Sequence, residues 1–497
     1  MRDVFPYFSF LLVNVLALSL IKKNFLYNTL LSVSKILFPL ITFPYATRVL
    51  GPDGLGLVNF VDNYTQYFVV FVALGIPVYG IRETAKISND PKALNNLTSD
   101  LLAINFINTC LGAVIYLLIP ILTGKFAENS HLYYLGLAYL FINIFTVEWF
   151  FQGKSEFKYI TVRALVIRVF AILALFLFVH SREDVVYYYA ITVVSFLLNA
   201  IVNYWKMLKE ITFNFSFSRL RKHMKPLMYL FLANVAISLY ILLDSVILGY
   251  VTDETEVGYY TAALRIVKIF LAIIGSLAII MIPQISQLYK EGDHVKVQTL
   301  LSKSFRFIVS FGMPIVIGLM LLSKEIILLL AGQEYVPAIM TIMILSPLVL
   351  FIGLSNLFGM QVLTPTNNEK YLLVSVVTGS VISVSLNIIL ARFFLHNGTA
   401  IATLLAEGSV MLFSGIFASR QYKMNLDYSV VWKTVLACLP FLLFYKIATL
   451  FLTSNAWIIG FTVVPSAIYY AGLQIFVMKD DLWRAGIDIL INKKFKK

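Results

Sequence analysis

Phe305-Arg-Phe-Ile-Val-Ser-Phe-Gly-Met-Pro-Ile-Val-Ile-Gly-Leu-Met-Leu-Leu-Ser323 decides the fold class. As an α-helix this run would be about 28 Å long, close to the roughly 30 Å of a bilayer's hydrocarbon core. Its one charge, Arg306, sits at the end. Pro314 would break a soluble helix, but neighbouring helices in a membrane bundle re-satisfy the freed backbone. Pro39, Pro44, Pro77 and Pro347 lie inside similar runs. Working outward, apolar stretches of this size recur at 25–48, 57–81, 98–122, 132–151, 160–179, 185–205, 226–250, 257–283, 337–363, 371–395, 398–419, 431–452 and 456–478. With 305–323 they make fourteen predicted spans. The whole chain is 60% hydrophobic and 13% charged, with a mean hydropathy of +0.84. A soluble domain averages roughly 25% charged residues and cannot hide this much apolar surface. The runs are continuous rather than alternating, which excludes a transmembrane β-barrel. The expected class is an all-α integral membrane protein.

The net charge of +13 is topological. Alternate sides of the fourteen spans hold 27 and 5 lysines and arginines, the smaller set being Arg48, Lys125, Arg182, Lys324 and Arg392. Cytoplasmic loops carry such an excess, so both ends of the fourteen-span unit are expected in the cytoplasm. Nucleic-acid binding is rejected on the same ground. Cys110 and Cys438 fall within spans and imply no disulfide framework, and the five histidines are scattered singly. No metal-ligand spacing exists among them. Residues 1–21 form an apolar N-terminal extension, read as a non-native upstream start or an interfacial segment.

The longest hydrophilic connection, Lys206 to Pro226, carries six basic residues and divides the chain. The expected parts are an N-lobe over 22–210, a C-lobe over 211–425, and two extra helices with a basic tail over 426–497. A weak repeat supports the division. Asn59-Phe-Val-Asp-Asn63 follows Gly54-x-Gly56, and Tyr259-Tyr-Thr-Ala-Ala263 follows Glu256-x-Gly258. Each opens the second span of its half, and internal repeats of this kind mark transporters. The short outside loops leave no room for a soluble catalytic domain, which argues against an integral-membrane glycosyltransferase or polymerase.

Charges inside spans are costly unless they face a wet cavity or a partner. They are Lys35, Asp62, Glu148, Arg163, Arg168, Asp244, Arg265, Lys268, Glu407 and Lys446. Asn59, Asp62, Asn63 and Gln66 stack on one helix face and are expected to line a cavity; the alternative is a seam between helices. Arg265 and Lys268 share a face of the eighth span. With Lys35, Arg163 and Arg168 they are candidate cations for an anionic headgroup, since a guanidinium can bond two phosphate oxygens at once. Helix geometry sets Arg163 and Arg168 about 140° apart, pointing to different sides. Ser380, Ser383 and Asn387 form one stripe and Thr399, Thr403 and Glu407 another. With Asp244 they offer oxygens to Na⁺ or a proton, and no other cofactor is expected.

Four local patterns carry a resemblance. Phe43-Pro-Tyr-Ala-Thr-Arg-Val-Leu-Gly-Pro-Asp-Gly-Leu-Gly56 resembles the first-loop signature of Wzx-type polysaccharide repeat-unit flippases, in the multidrug/oligosaccharidyl-lipid/polysaccharide exporter superfamily. Gly75-Ile-Pro-Val-Tyr-Gly-Ile-Arg-Glu83, Glu148-Trp-Phe-Phe-Gln-Gly153 and Tyr259-Tyr-x-x-x-x-Arg265 are similar to later motifs of that family. The resemblance covers the chain after Lys22. It implies two pseudo-symmetric lobes of six helices around a central cavity, plus two C-terminal helices. It also implies alternating access for an undecaprenyl-pyrophosphate-linked oligosaccharide in a bacterial inner membrane. The expected protein partners are a polysaccharide polymerase and a chain-length regulator. Arg265 matches the cavity arginine of the eighth helix, and Asp244, Asn387 and Glu407 approximate cation positions of lipid II flippases. Ala391, one turn beyond Asn387, departs from that pattern by lacking a side-chain oxygen. A cation-coupled drug antiporter of the same superfamily is the alternative reading; the buried excess of cations weighs against it.

Overall fold

Gly51 separates the first two predicted spans. Helix α1 (Phe5–Ala73) carries both of them end to end, and Gly51 between them has φ 70° and ψ 177°, a conformation open to glycine because it lacks a Cβ. At Leu74 and Gly75 the backbone again turns to positive φ, and α2 (Ile76–Ile87) leaves with a 43° bend. Pro77 sits in its first turn, where a missing N–H costs nothing. The second long helix, α14 (Glu369–Gln421), is likewise two predicted spans joined at Leu395, φ 54°.

The computed structural model describes residues 5–478, 480–481 and 483–484. Side chains at 5–26, 28–29, 32–33, 35–37, 230, 232–242, 272–273, 276–280 and 283 lie outside that description. Between the long helices run α3 (Pro91–Leu122), α4 (Lys125–Ile142), α5 (Glu148–Gly153), α6 (Phe157–Phe178), α7 (Val185–Leu208), α8 (Phe217–Val251), α9 (Glu254–Lys290), α10 (His294–Leu321), α11 (Ser323–Leu330), α12 (Ala338–Leu345) and α13 (Leu348–Asn356). After α14 come α15 (Ser429–Cys438), α16 (Pro440–Phe451) and α17 (Asn455–Gly472). Each of the fourteen apolar runs falls on helical backbone. Among the described residues, nine helices are long and apolar enough to cross a membrane, or ten if the bent pair counts as one span. This is a multi-pass α-helical membrane protein. Aspartates start several helices: Asp90 accepts from the backbone N–H of Lys92 and Ala93, Asp253 from Glu256 and Asp293 from Lys296. Each answers N–H groups that the first turn leaves without an intrahelical partner.

The chain divides into two units, residues 1–50 with 58–243, and 51–57 with 244–497. The division between the units falls inside α8, and the reason is visible in the hydrogen bonds. The basic connection is fastened to α3. Asn95 donates to Thr212 Oγ1 at 2.6 Å and accepts from its N–H at 3.2 Å, while Ser99 accepts from the Asn214 N–H at 3.0 Å. One turn on, the fully buried Asp100 receives both Arg219 and His223.

In the first unit, Trp149, Phe150 and Phe151 are buried together with Tyr79, Leu97 and Leu101. The motif Glu148–Gly153 is thus a packing device. A Cβ on Gly80 would strike the Trp149 ring, and one on Gly153 would strike Thr84. Outward faces are apolar, as Phe106, Leu111, Val114 and Leu118 of α3 illustrate, because lipid tails rather than water surround them. In the second unit the two repeat glycines meet: a Cβ on Gly56 would overlap the Glu254 carbonyl, and one on Gly258 would overlap the Pro52 carbonyl. Backbones approach this closely only where both partners lack side chains. Tyr470 of α17 donates to the Ser310 carbonyl at 2.8 Å, tying the last helix to α10.

Candidate functional site

Helix hairpins set the depth of the second unit's polar residues. Asp244 precedes the α8–α9 turn at Thr252 by eight residues, and Tyr260 follows it by eight. Asn387 and Thr403 stand eight residues either side of the break at Leu395. At 1.5 Å per residue all four lie about 12 Å in from their turns. The structure brings them together. The Asp244 carboxylate accepts from Ser383 Oγ and Asn387 Nδ2 at 2.7 Å on Oδ1. On Oδ2 it accepts from Thr403 Oγ1 at 2.7 Å and from Tyr260 OH at 3.2 Å. An ionised carboxylate offers about four acceptor positions, and four donors stand within reach. Asp244 is 4% exposed, and such burial of a charge is tolerable only with hydrogen bonds of this number. Asn387 Oδ1 and Thr399 Oγ1 are also buried, with no hydrogen-bond partner among the described residues. They are the oxygens that a small hard cation would use.

Glu407 lies one turn beyond Thr403 and is buried. It and Asp244 are within electrostatic range of Lys268, as is Arg265. Arg265 is half-buried and Lys268 exposed. The expected headgroup cations and the expected coupling acids of this unit therefore share one electrostatic neighbourhood. At the turn end, Glu256 accepts from both the backbone N–H and the ring Nδ1 of His396, and His396 Nε2 meets the Pro337 carbonyl at 3.2 Å. Burial pushes the Glu256 carboxyl up, but the His396 hydrogen bonds outweigh it and hold the group below its ordinary value.

The first unit separates its candidates. Gln66 donates to the Tyr139 hydroxyl at 3.0 Å, in a seam where Tyr64, Thr65, Tyr116 and Tyr189 also bond. Asn59, Asp62 and Asn63 are half-buried, and Asp62 acts electrostatically on Tyr139 and Tyr189. Arg163 Nη2 pairs with Glu148 at 3.3 Å. Arg168 bonds Ser34 and lies over the Phe38 ring. Arg163 and Arg168 line the same cavity, although they stand about 140° apart; residues 163, 164, 167, 168, 171, 172 and 175 border it, a face about half the helix circumference wide, with the two arginines toward its edges. The side chain of Lys35 lies outside the described residues.

A family profile described as "Polysaccharide biosynthesis protein" matches residues 21–289, more than half of the chain. The chain belongs to this family. The matched span includes Asp244, Arg265 and Lys268, and a second profile, MatE, matches residues 230–389. A curated relative from Escherichia coli (strain K12), named "Putative O-antigen transporter", is 27% identical over 395 residues, covering 78% of this chain and 94% of that one. Among solved structures, the lipid II flippase MurJ in an inward closed conformation aligns with a TM-score of 0.66 at 17% identity, over 91% of this chain and 99% of that one. An inward-facing multidrug resistance MATE family transporter of the MOP superfamily aligns at 0.64 with 16% identity, over 77% and 95%. Members of the polysaccharide biosynthesis family and these transporters thus share the fold seen here.

Sequence reading missed two participants. Tyr260 was quoted only as part of a motif, yet its eight-residue offset from the turn equals that of Asp244 and would have found it. His396 was set aside as one of five scattered histidines, and no local pattern announces its partner Glu256, 140 residues away.

Proposed function

We propose that this protein is a flippase that carries undecaprenyl-pyrophosphate-linked oligosaccharide repeat units from the cytoplasmic to the outer face of a bacterial inner membrane. Alternating access moves the cargo, and both ends of the chain lie in the cytoplasm. Family membership and the O-antigen transporter relative support the cargo class. The observation that carries the mechanism is that Tyr260 of α9 and Thr403 of α14 both bond Asp244, which sets Arg265 and Lys268 about one and two turns along α9 from it and Glu407 one turn along α14. A pyrophosphate brings negative charge into a medium where an unpaired charge is costly. Arg265 offers it two-point contact and Lys268 a point charge. Asp244, with Asn387 and Thr403, holds the coupled cation, a proton or Na⁺. A charge arriving there alters what Lys268 and Arg265 face, and that linkage ties ion to cargo.

The test is complementation of a host lacking its repeat-unit flippase, with surface polysaccharide and accumulated lipid-linked precursor as readouts. Wild-type chain should restore surface polysaccharide. Arg265→Ala should not, although it should reach the membrane in normal amounts. Arg265→Lys should restore only part, because an ammonium lacks the planar fork. Full activity of Arg265→Ala would remove Arg265 from the headgroup site.

A further inference from the structure

The cavity within the first unit has no part in the mechanism above, and its chemistry is uneven from end to end. It encloses about 680 Å³. On α6 it is bordered from Arg163 to Leu175, and on α7 from Tyr188 to Asn203. Helical rise makes those borders about 18 and 22 Å long. The end beside Lys154 and Lys206 is polar, with Glu148, Gln152, Arg163, Asn199 and Asn203 on its walls. The rest is mainly apolar, bounded by Leu31, Phe38, Ile167, Ile172, Leu175 and Ile191, with Arg168, Tyr188, Thr192 and Ser195 among them. Spread over about 20 Å, the volume gives a mean cross-section of roughly 34 Å², room for one hydrocarbon chain but not for a bulky ligand.

The polar end is incomplete. Arg163 is 9% exposed. Its Nη2 pairs with Glu148, while Nε and Nη1 have no partner among the described residues. Buried guanidinium N–H groups left without acceptors are costly. Asn203, 1% exposed, donates to the Thr146 carbonyl, and its Oδ1 lacks a donor among the described residues. The two vacancies are complementary: an acceptor is wanted at Arg163 and a hydroxyl or N–H at Asn203. Arg163 and Arg168 against Glu148 leave one positive charge over.

We propose that this cavity is a lipid site, which takes one chain of a phosphate-bearing lipid with the phosphate at Arg163 and a neighbouring hydroxyl at Asn203. The ligand class follows from the walls: a soluble anion would leave the mainly apolar part empty, and a neutral hydrocarbon would leave Nε and Nη1 of Arg163 without acceptors. Two membrane components share this chemistry, an acidic phospholipid such as phosphatidylglycerol and a polyprenyl phosphate. The site stands whether or not the chain transports glycans.

Native mass spectrometry on delipidated full-length protein tests it, with dioleoylphosphatidylglycerol, undecaprenyl phosphate, dioleoylphosphatidylcholine or inorganic phosphate added in turn. One equivalent of phosphatidylglycerol or undecaprenyl phosphate should be retained, and the tighter of the two names the source. Arg163→Gln should weaken retention at least tenfold. Ile172→Trp, which leaves the Arg163–Glu148 pair alone and blocks the chain slot, should weaken it similarly, so a folding defect of one variant does not decide the matter. Equal retention of phosphatidylcholine, saturation by inorganic phosphate alone, or unchanged binding in both folded variants would overturn the proposal.

Discussion

Removing Arg219 should destabilise the protein more than removing the carboxylate it serves. Asp100 is fully buried on α3, with Arg219 Nε at 3.2 Å from both of its oxygens, His223 Nε2 at 3.3 Å and Lys222 at 4.0 Å. The Lys222 side chain is 58% exposed, so solvent screening leaves it little weight. Arg219→Ala strands a buried carboxylate with one imidazole, a defect of about 3 kcal/mol, the lower end for breaking buried pairs. Asp100→Ala removes the buried charge itself. Arg219, whose side chain is already 23% exposed, can turn to water, and the loss is about 1–2 kcal/mol, one charged hydrogen-bonding group. The double variant should resemble Asp100→Ala and be more stable than Arg219→Ala, an interaction of about 3 kcal/mol in a double-mutant cycle. Thermal unfolding followed by a thiol-reactive dye suits the measurement in a Cys110→Ser background, because Cys110 is exposed whereas Cys438 is buried until the fold opens. If the two single effects simply add, Asp100 and Arg219 are not coupled, and the clamp on the connecting segment is a surface contact.

Two further outcomes are expected. Burial, then Lys222, holds the His223 imidazole below its ordinary 6.5, against the smaller opposing effect of Asp100 and Glu83. The unfolded chain therefore takes up that proton first, so the His223 contribution is full above pH 6.5 and shrinks as pH falls below it; His223→Gln should flatten the thermal midpoint between pH 7 and 5, and an unchanged slope would exclude His223 as the source. Asp244→Asn, which mimics the cation-neutralised site, should stop turnover while tightening binding of undecaprenyl pyrophosphate by about 5–150-fold, the usual range for coupled sites; unaltered affinity in isothermal titration would separate Asp244 from the headgroup.

Much of this architecture is legible in the residues because hydrocarbon is an unforgiving solvent. Each helix must close its own backbone bonds and present an apolar face, so the fourteen runs announce themselves. Asn387 and Thr403 stand out for the same reason, as polar stripes without a use in lipid. What local pattern cannot show is pairing across loops. Glu148 and Arg163 sit on α5 and α6, and no helical period connects them. The α3 clamp is equally hidden, since Asn95 and Thr212 lie 117 residues apart. That clamp is why the first unit keeps the basic connection and ends within α8.

The buried charges in the second unit differ in kind from those in the first. Arg163 has Glu148 beside it, and Arg168 has Ser34 and an aromatic face, so the first is met by a counter-charge and the second by a hydroxyl and a ring. Asp244 is surrounded by hydroxyls and an amide, which serve a carboxylate, a carboxylic acid or a bound cation by rotating a proton or turning an amide. Such a shell tolerates a change of charge that an ion pair would resist. Lys268 senses that change from within the same unit. By reciprocity, whatever affinity a cation at Asp244 adds or removes at the headgroup cations, the headgroup must return to the cation by the same factor. In the proposed mechanism coupling would need no separate relay, because the donors around Asp244 and the cations of α9 meet through Tyr260.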